Sequence, residues 1–166
     1  MPVSDQGYRE DRFQVVPRTL IFLFNEKGQV LLLKGSPNKK IWAGFYNGVG
    51  GHIEAGEDIL SSARRELFEE TGIDTAELRL CGQVMVEVDA HRGIALFIFK
   101  GQYDGGELRP SNEGSLEWID MKDLPNLPLV EDLPELLPRV SRHKNGDSLI
   151  LGQYHYDDGR LVMLFN

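Results

Sequence analysis

The sequence predicts one mixed α/β domain, and three observations carry the prediction. Apolar runs of strand length, rich in β-branched and aromatic residues, recur along the chain with glycine-bearing turns between them. Two segments have helical signatures with their own start and stop residues. At 166 residues a single domain buries most of the surface that its unfolded chain exposes, so residues 1–166 are read as one domain. A hydrophobic content of 41% beside 27% charged residues separates the chain from disordered sequences and confines any disorder to the ends.

Residues 15–24 and 29–33 are apolar and flank Asn25, Glu26, Lys27 and Gly28, a turn sequence, which predicts a β-hairpin. Residues 35–40 form a polar loop around Pro37. The following IWAGFYNGVGG, residues 41–51, reads as a short strand entering a tight turn. A helix is predicted from Gly56, Glu57 and Asp58 to Thr71, with Gly72 as its stop. Residues 78–88 and 94–103 are strands joined across 89–93, and 115–119 is a shorter strand. Asp132 with Glu135 three residues on has the form of a capping box, so a second helix runs toward His143, weakened or kinked by Pro138. Residues 148–156 and 160–165 flank Asp157, Asp158 and Gly159 and predict a closing hairpin.

Residues 1–14 lack the basic start and apolar run of a secretory signal, and no stretch reaches the roughly 18 to 20 apolar residues of a membrane span. A cytoplasmic protein with no membrane partner is expected. The single cysteine, Cys81, can form neither an internal disulfide nor a multi-thiolate metal site and reads as buried filler. A net charge of −8 excludes the basic groove on which binding of a nucleic-acid polymer rests, so a phosphate ligand needs a cation as intermediary.

The stretch GGHIEAGEDILSSARRELFEETGI, residues 50–73, concentrates charge where packing does not ask for it. On a helical wheel of about 100° per residue with Glu66 at zero, Ile59, Ala63, Leu67 and Leu60 fall at roughly 20°, 60°, 100° and 120°. Glu70 falls at about 40°, inside the apolar stripe, and Glu69 at about −60°. Two carboxylates about 5 Å apart repel by roughly 3 kcal/mol at an effective dielectric of 20, so Glu66, Glu69 and Glu70 together are costly unless cations neutralise them. Mg²⁺, which takes oxygen ligands, is the expected counter-charge, while Arg65 can fix one glutamate by a two-point contact. The competing reading is a solvated helix face with charge pairs.

Gly51, Glu57, Arg65, Glu66, apolar Leu67, Glu69, Glu70, Gly72 and apolar Ile73 together resemble the Nudix box at every defining position. Seven fixed identities at ordinary residue usage coincide by chance on the order of once in a few hundred million starts. The resemblance implies an α/β/α sandwich around a mixed sheet and hydrolysis of a nucleoside diphosphate linked to another group, with Mg²⁺ or Mn²⁺. It implies Glu66, Glu69 and Glu70 as metal ligands with the backbone carbonyl of Gly50, and Glu57 with Arg65 as the pair that orients the box. Glu66 or Glu69 is the expected base, and Glu113, in a loop opposite the helix, the expected further acid, with Glu117 close by as a rival.

The run before the box is similar to that of the MutT-like branch, whose members release pyrophosphate from oxidised purine nucleoside triphosphates. Asn47 stands where some of them read the base, although Asn-Gly is also the strongest two-residue turn signal. Asp132 is read either as a base contact or as a helix cap, Trp118 either as a substrate contact or as core, and His52 stands where relatives often carry a phosphate-facing lysine. Relatives of mammalian type place a tryptophan beside their paired acids, and here residues 129–132 offer acids without an aromatic. The proline and the tyrosine that mark ADP-ribose and diadenosine-polyphosphate hydrolases beyond the box are missing, with Val88 and Asp89 standing there. Three functions stay open: a nucleoside triphosphate pyrophosphohydrolase, an ADP-ribose or nucleotide-sugar hydrolase, and a non-catalytic nucleotide sensor. So does monomer against homodimer.

Overall fold

The computed structural model describes every residue except Met1, Tyr8, Thr75 and Pro110. Its strands are β1 (Gln14–Phe24), β2 (Val30–Gly35), β3 (Tyr46–Asn47), β4 (Glu77–Glu87), β5 (Arg92–Gln102), β6 (Gly114–Ile119), β7 (Ile150–Asp157) and β8 (Arg160–Phe165), with helices α1 (Ile59–Thr71) and α2 (Leu133–Arg142). One mixed sheet runs β3-β2-β1-β5-β4-β7-β8, with β6 on the other side of β2. The β1·β5 and β4·β7 pairs are parallel and the other pairs antiparallel.

The two helices cover opposite faces, which makes the α/β/α sandwich. Leu20, Phe22, Phe24, Val30 and Leu32 pack with Leu133, Leu136, Leu137 and Val140 of α2. Their strand neighbours Ile21, Leu23 and Leu31 pack with Ala63 and Leu67 of α1. Strands buried on both faces lose the alternation of a half-exposed sheet, and so β1 and β2 read as continuous apolar runs. Among the described residues no helix is long and apolar enough to cross a membrane.

The predicted first hairpin forms only at its turn. Asn25 Oδ1 accepts from the backbone N–H of Lys27 and of Gln29, but β1 and β2 pair only at Phe24 and Val30 before diverging. Beyond that point the segment after β3 lies beside β1: Ile21 N–H donates to Val49 O at 2.7 Å and Thr19 N–H to Gly51 O at 2.9 Å. Asn47-Gly48 is therefore not a turn, and neither residue has positive φ. Gly48 is required by proximity, since a Cβ there would lie 2.8 Å from Leu20 Cδ1, 2.8 Å from Phe22 Cε1 and 2.9 Å from Ile21 O.

Helix α1 starts at Ile59 rather than at Gly56, because Asp58 accepts from the N–H groups of Leu60 and Ser61 and so caps it. Gly72, at φ 77°, ends it as predicted. Asp132 occupies the N-cap position of α2, but its side chain makes no capping hydrogen bond, and Glu135 pairs with Arg139 instead of closing a box. Pro138 lies inside α2, which nevertheless continues to Arg142. Asp158 and Gly159, at φ 47° and 76°, form the two-residue turn of the final hairpin, and Cys81 is fully buried.

Replacing Gly48 by alanine forces a methyl into the crossing of residues 48–51 over β1. A loss of about 1–3 kcal/mol is expected, read as a lowered urea midpoint with an unchanged slope. An unchanged midpoint would mean that this crossing is not tight.

Candidate active site

The crossing segment brings backbone against α1. Glu70 is 7% exposed, as its place on the apolar stripe of the wheel predicts, and its Oε2 accepts from Gly50 N–H at 3.0 Å. Gly50 has φ 150°, and a Cβ there would lie 2.2 Å from Thr19 O, so only glycine delivers that N–H. A Cβ on Gly51 would lie 2.4 Å from Glu66 Oε1. Burial pushes the Glu70 carboxyl up to about 7; the Gly50 N–H and Lys39 oppose the rise, and the charges of Glu66 and Glu113 add to it.

Arg65 organises the remaining acids. Its Nε and Nη2 fork onto Glu57 at 2.6 and 2.9 Å, its Nη1 reaches Glu66 at 2.8 Å and Glu69 at 3.3 Å, and Nη2 also donates to the carbonyl of His52 at 3.0 Å. This fork, with the Glu54 N–H, holds the Glu57 carboxyl down at about 2, so Glu57 is a permanent anion at working pH. Arg65 thus ties the loop before α1 to Glu66 and Glu69 of the helix through one guanidinium.

Glu66, Glu69 and Glu70 offer only oxygen donors, the chemistry that hard dications prefer. Among the described residues, however, no three His, Cys, Asp or Glu side chains converge as a ready-made metal cage. The hydrogen bonds account for this: Arg65 holds Glu66 and Glu69, and Gly50 holds Glu70. The donor set fits Mg²⁺ or Mn²⁺ by chemistry, and Arg65 holds Glu66 through Oε1 alone, which leaves Oε2 for such an ion. Gly50 meets Glu70 through its N–H, whereas the expected ligand atom is its carbonyl oxygen.

Two cavities lie beside residues 47–50, and the smaller one reaches α1 at Glu70. A small one of about 70 Å³ is lined by Glu70, Lys39, Phe45 and Arg18 among others. A larger one of about 360 Å³ lies toward the α2 side, with Thr19, Val88, Val130, Asp132, Tyr154 and Tyr156 in its wall. Arg18, Trp42, Asn47, Gly48 and Gly50 line both, so the two share a wall.

The expected substrate contacts divide. Asn47 lines both cavities, and its Oδ1 accepts from Gly48 N–H. Asp132 lines the larger cavity, where burial pushes its carboxyl up to about 6, with the Glu131 charge adding. Trp118 lines neither: it packs with Tyr103, ring centroids 5.0 Å apart, on the α1 face, because its register opposite Leu31 turns it there. The His52 side chain is exposed. Glu113 is exposed and ion-paired with Lys39, and Glu117 accepts from Tyr46 Oη at 2.9 Å. Sequence reasoning missed Arg18, Thr19, Trp42, Tyr154 and Tyr156, which supply the aromatic groups that residues 129–132 lack. The apolar alternation of β7 was the available signal for Tyr154 and Tyr156.

A sequence model of the NUDIX domain matches residues 15–140. The oxidized purine nucleoside triphosphate hydrolase of Danio rerio is 33% identical over 106 residues, covering 63% of this chain and 67% of that protein. The NAD-capped RNA hydrolase NudC of Chromobacterium violaceum is 35% identical over 106 residues, covering 62% of this chain but only 38% of NudC. Among solved structures, a MutT protein of Bacillus halodurans superposes with a TM-score of 0.76 at 29% identity, covering 92% of this chain and 98% of that one.

Glu70 makes the metal-free protein sensitive to pH. Its folded-state value of about 7 lies above the unfolded 4.5, so the stability it contributes is full below pH 4.5 and lost as pH rises through 7. In EDTA, Glu70→Gln should exceed the parent by about 1–2 kcal/mol above pH 7.5 and match it near pH 4.5; the full shift bounds the gain at about 3 kcal/mol, less the cost of burying the new amide N–H groups. Urea titrations across that pH range that run parallel for the two proteins would remove the assignment.

Proposed function

The chain belongs to the Nudix family of hydrolases, and on that footing we propose that it cleaves a purine nucleoside triphosphate, oxidised purines included, to the nucleoside monophosphate and pyrophosphate. The observation that carries this is the adjacency of the two cavities: a ligand whose base fills the larger one would extend past their shared residues Asn47 and Gly50 toward Glu70. The volume of about 360 Å³ suits a nucleoside. A free nucleotide is favoured over a polymer by the acidic lining of Glu87, Glu131 and Asp132 and by the net charge of −8. The resemblance to the Danio rerio enzyme supports the same substrate class. A cytoplasmic site of action suits such a substrate.

Glu66, Glu69 and Glu70, with the Gly50 carbonyl, would hold Mg²⁺ or Mn²⁺. Bound there, the ion neutralises phosphate charge and acidifies water. The chain's own part is distinct. Arg65 and Glu57 hold the loop before α1 against the helix, so that the acids keep their spacing. Glu69, 56% exposed in its side chain and touched by Arg65 only at 3.3 Å, is the freer of the two candidate bases to accept the proton of the attacking water. Glu113, at the far side near Glu70, is held by Lys39 and adds negative charge there. Asp132, near half-protonation at about pH 6, can donate or accept at a base edge, and Trp42 and Tyr156 offer ring faces.

A panel of dGTP, 8-oxo-dGTP, ADP-ribose and a nucleotide sugar with Mg²⁺ tests this by its products. Monophosphate and free pyrophosphate from a triphosphate are expected; two phosphorylated halves from ADP-ribose, or no turnover at all, would replace this reading by the other two. Glu69→Gln should lower kcat by about 10²- to 10⁴-fold with little change in unfolding midpoint. Equal rates in variant and parent would take the base role from Glu69.

A further inference from the structure

Five buried side-chain polar atoms lack a hydrogen-bond partner among the described residues, and three of them belong to the wall of the larger cavity: Arg18 Nε, Thr19 Oγ1 and Tyr154 Oη. Buried polar groups are almost always paired, so three orphans around one cavity are groups open to whatever fills it. Arg18 is the charged one. Among the described residues it forms no ion pair, in a chain of net charge −8, although Glu87, Glu131 and Asp132 line the same cavity. Its side chain is half-buried, with Nε shielded and unpaired, and a guanidinium matches phosphate oxygens by its forked donors.

Its place in the fold narrows what it meets. Arg18 lies on β1, bridged to His52 where the box begins, and lines both cavities. Of the two cations in the smaller cavity, Lys39 is held by Glu113, which leaves Arg18 unengaged at the junction between the nucleoside side and the Glu70 side. We propose that Arg18 grips the phosphate attached to the sugar, the one that stays on the monophosphate when the anhydride is cut. This rests on the nucleotide reading above. The residue then does two things: it registers the anhydride against the acidic helix by holding the near end of the phosphate chain, and it retains the monophosphate product.

Calorimetry in EDTA separates this contact from metal and from turnover. The probes are dGMP and 8-oxo-dGMP beside their nucleosides, titrated into the parent, Arg18→Gln and Arg18→Lys, with urea midpoints confirming that each variant folds. The parent should bind each monophosphate more tightly than its nucleoside. Arg18→Gln should weaken the monophosphates by about 10- to 100-fold and leave the nucleosides within about threefold, with Arg18→Lys in between. A parent preference for monophosphate that survives in Arg18→Gln overturns the assignment of Arg18 alone, as does a parallel loss for nucleoside and monophosphate, which would put Arg18 on the base. A parent that binds none of the four overturns the purine-nucleotide reading and this proposal with it. Should Arg18→Gln fail to fold, a monophosphate affinity of Arg18→Lys equal to the parent's overturns it.

Discussion

The closeness of one glycine-bearing backbone segment to two elements at once is the constraint on which the site depends. Residues 48–51 lie against β1 so tightly that Gly48 and Gly50 admit no Cβ, and against α1 so tightly that Gly51 lies on the Glu66 carboxylate while Gly50 donates to Glu70. The segment also takes the edge of β1 that β2 gives up after Phe24 and Val30. A sheet strand, a loop and a helix are thereby locked within hydrogen-bonding distance of one another. The acids of α1 inherit their positions from that lock.

Electrostatics works against this arrangement in the absence of ligands. Of the four acids Glu57, Glu66, Glu69 and Glu70, Arg65 reaches the first three but not the fourth. Glu70 answers by holding its proton to about pH 7. A dication placed among these carboxylates would relieve the repulsion between Glu66 and Glu70, and that relief would add to its binding free energy.

Most of the architecture was legible in the sequence because its signals are local. The strands, the Gly72 stop and the Asp158-Gly159 turn each depend on a few adjacent residues. What escaped depends on distant parts of the chain. The divergence of β1 from β2 is decided by residues 48–51, some 25 positions away. Asp132 has a capping residue's identity and position, yet the cavity claims its carboxyl, since pocket burial is invisible to a local pattern. Trp118 reads as a ligand contact or core until its register with Leu31 turns it to the α1 face. The box itself was legible because one helix and its flanking loop carry all of it, whereas the larger cavity is assembled from β1, β4, β5, β7 and the segments around Trp42 and Asp132.

That contrast divides labour between the two faces of the sheet. On the α1 face the acids, Arg65 and the glycines constrain one another so tightly that few substitutions leave the lock intact. On the α2 face the cavity wall draws single residues from many strands, each replaceable without disturbing the helix that carries the chemistry. Recognition can then change while the reaction stays the same. The junction residues are the exception: Arg18, Trp42 and Asn47 border both cavities, and Trp42 holds φ 58°, a backbone conformation that costs a bulky residue of order 1–3 kcal/mol. In the nucleotide reading proposed above, a ligand spanning base and phosphates would pass these three side chains, so a change at any of them would alter base recognition and phosphate register together.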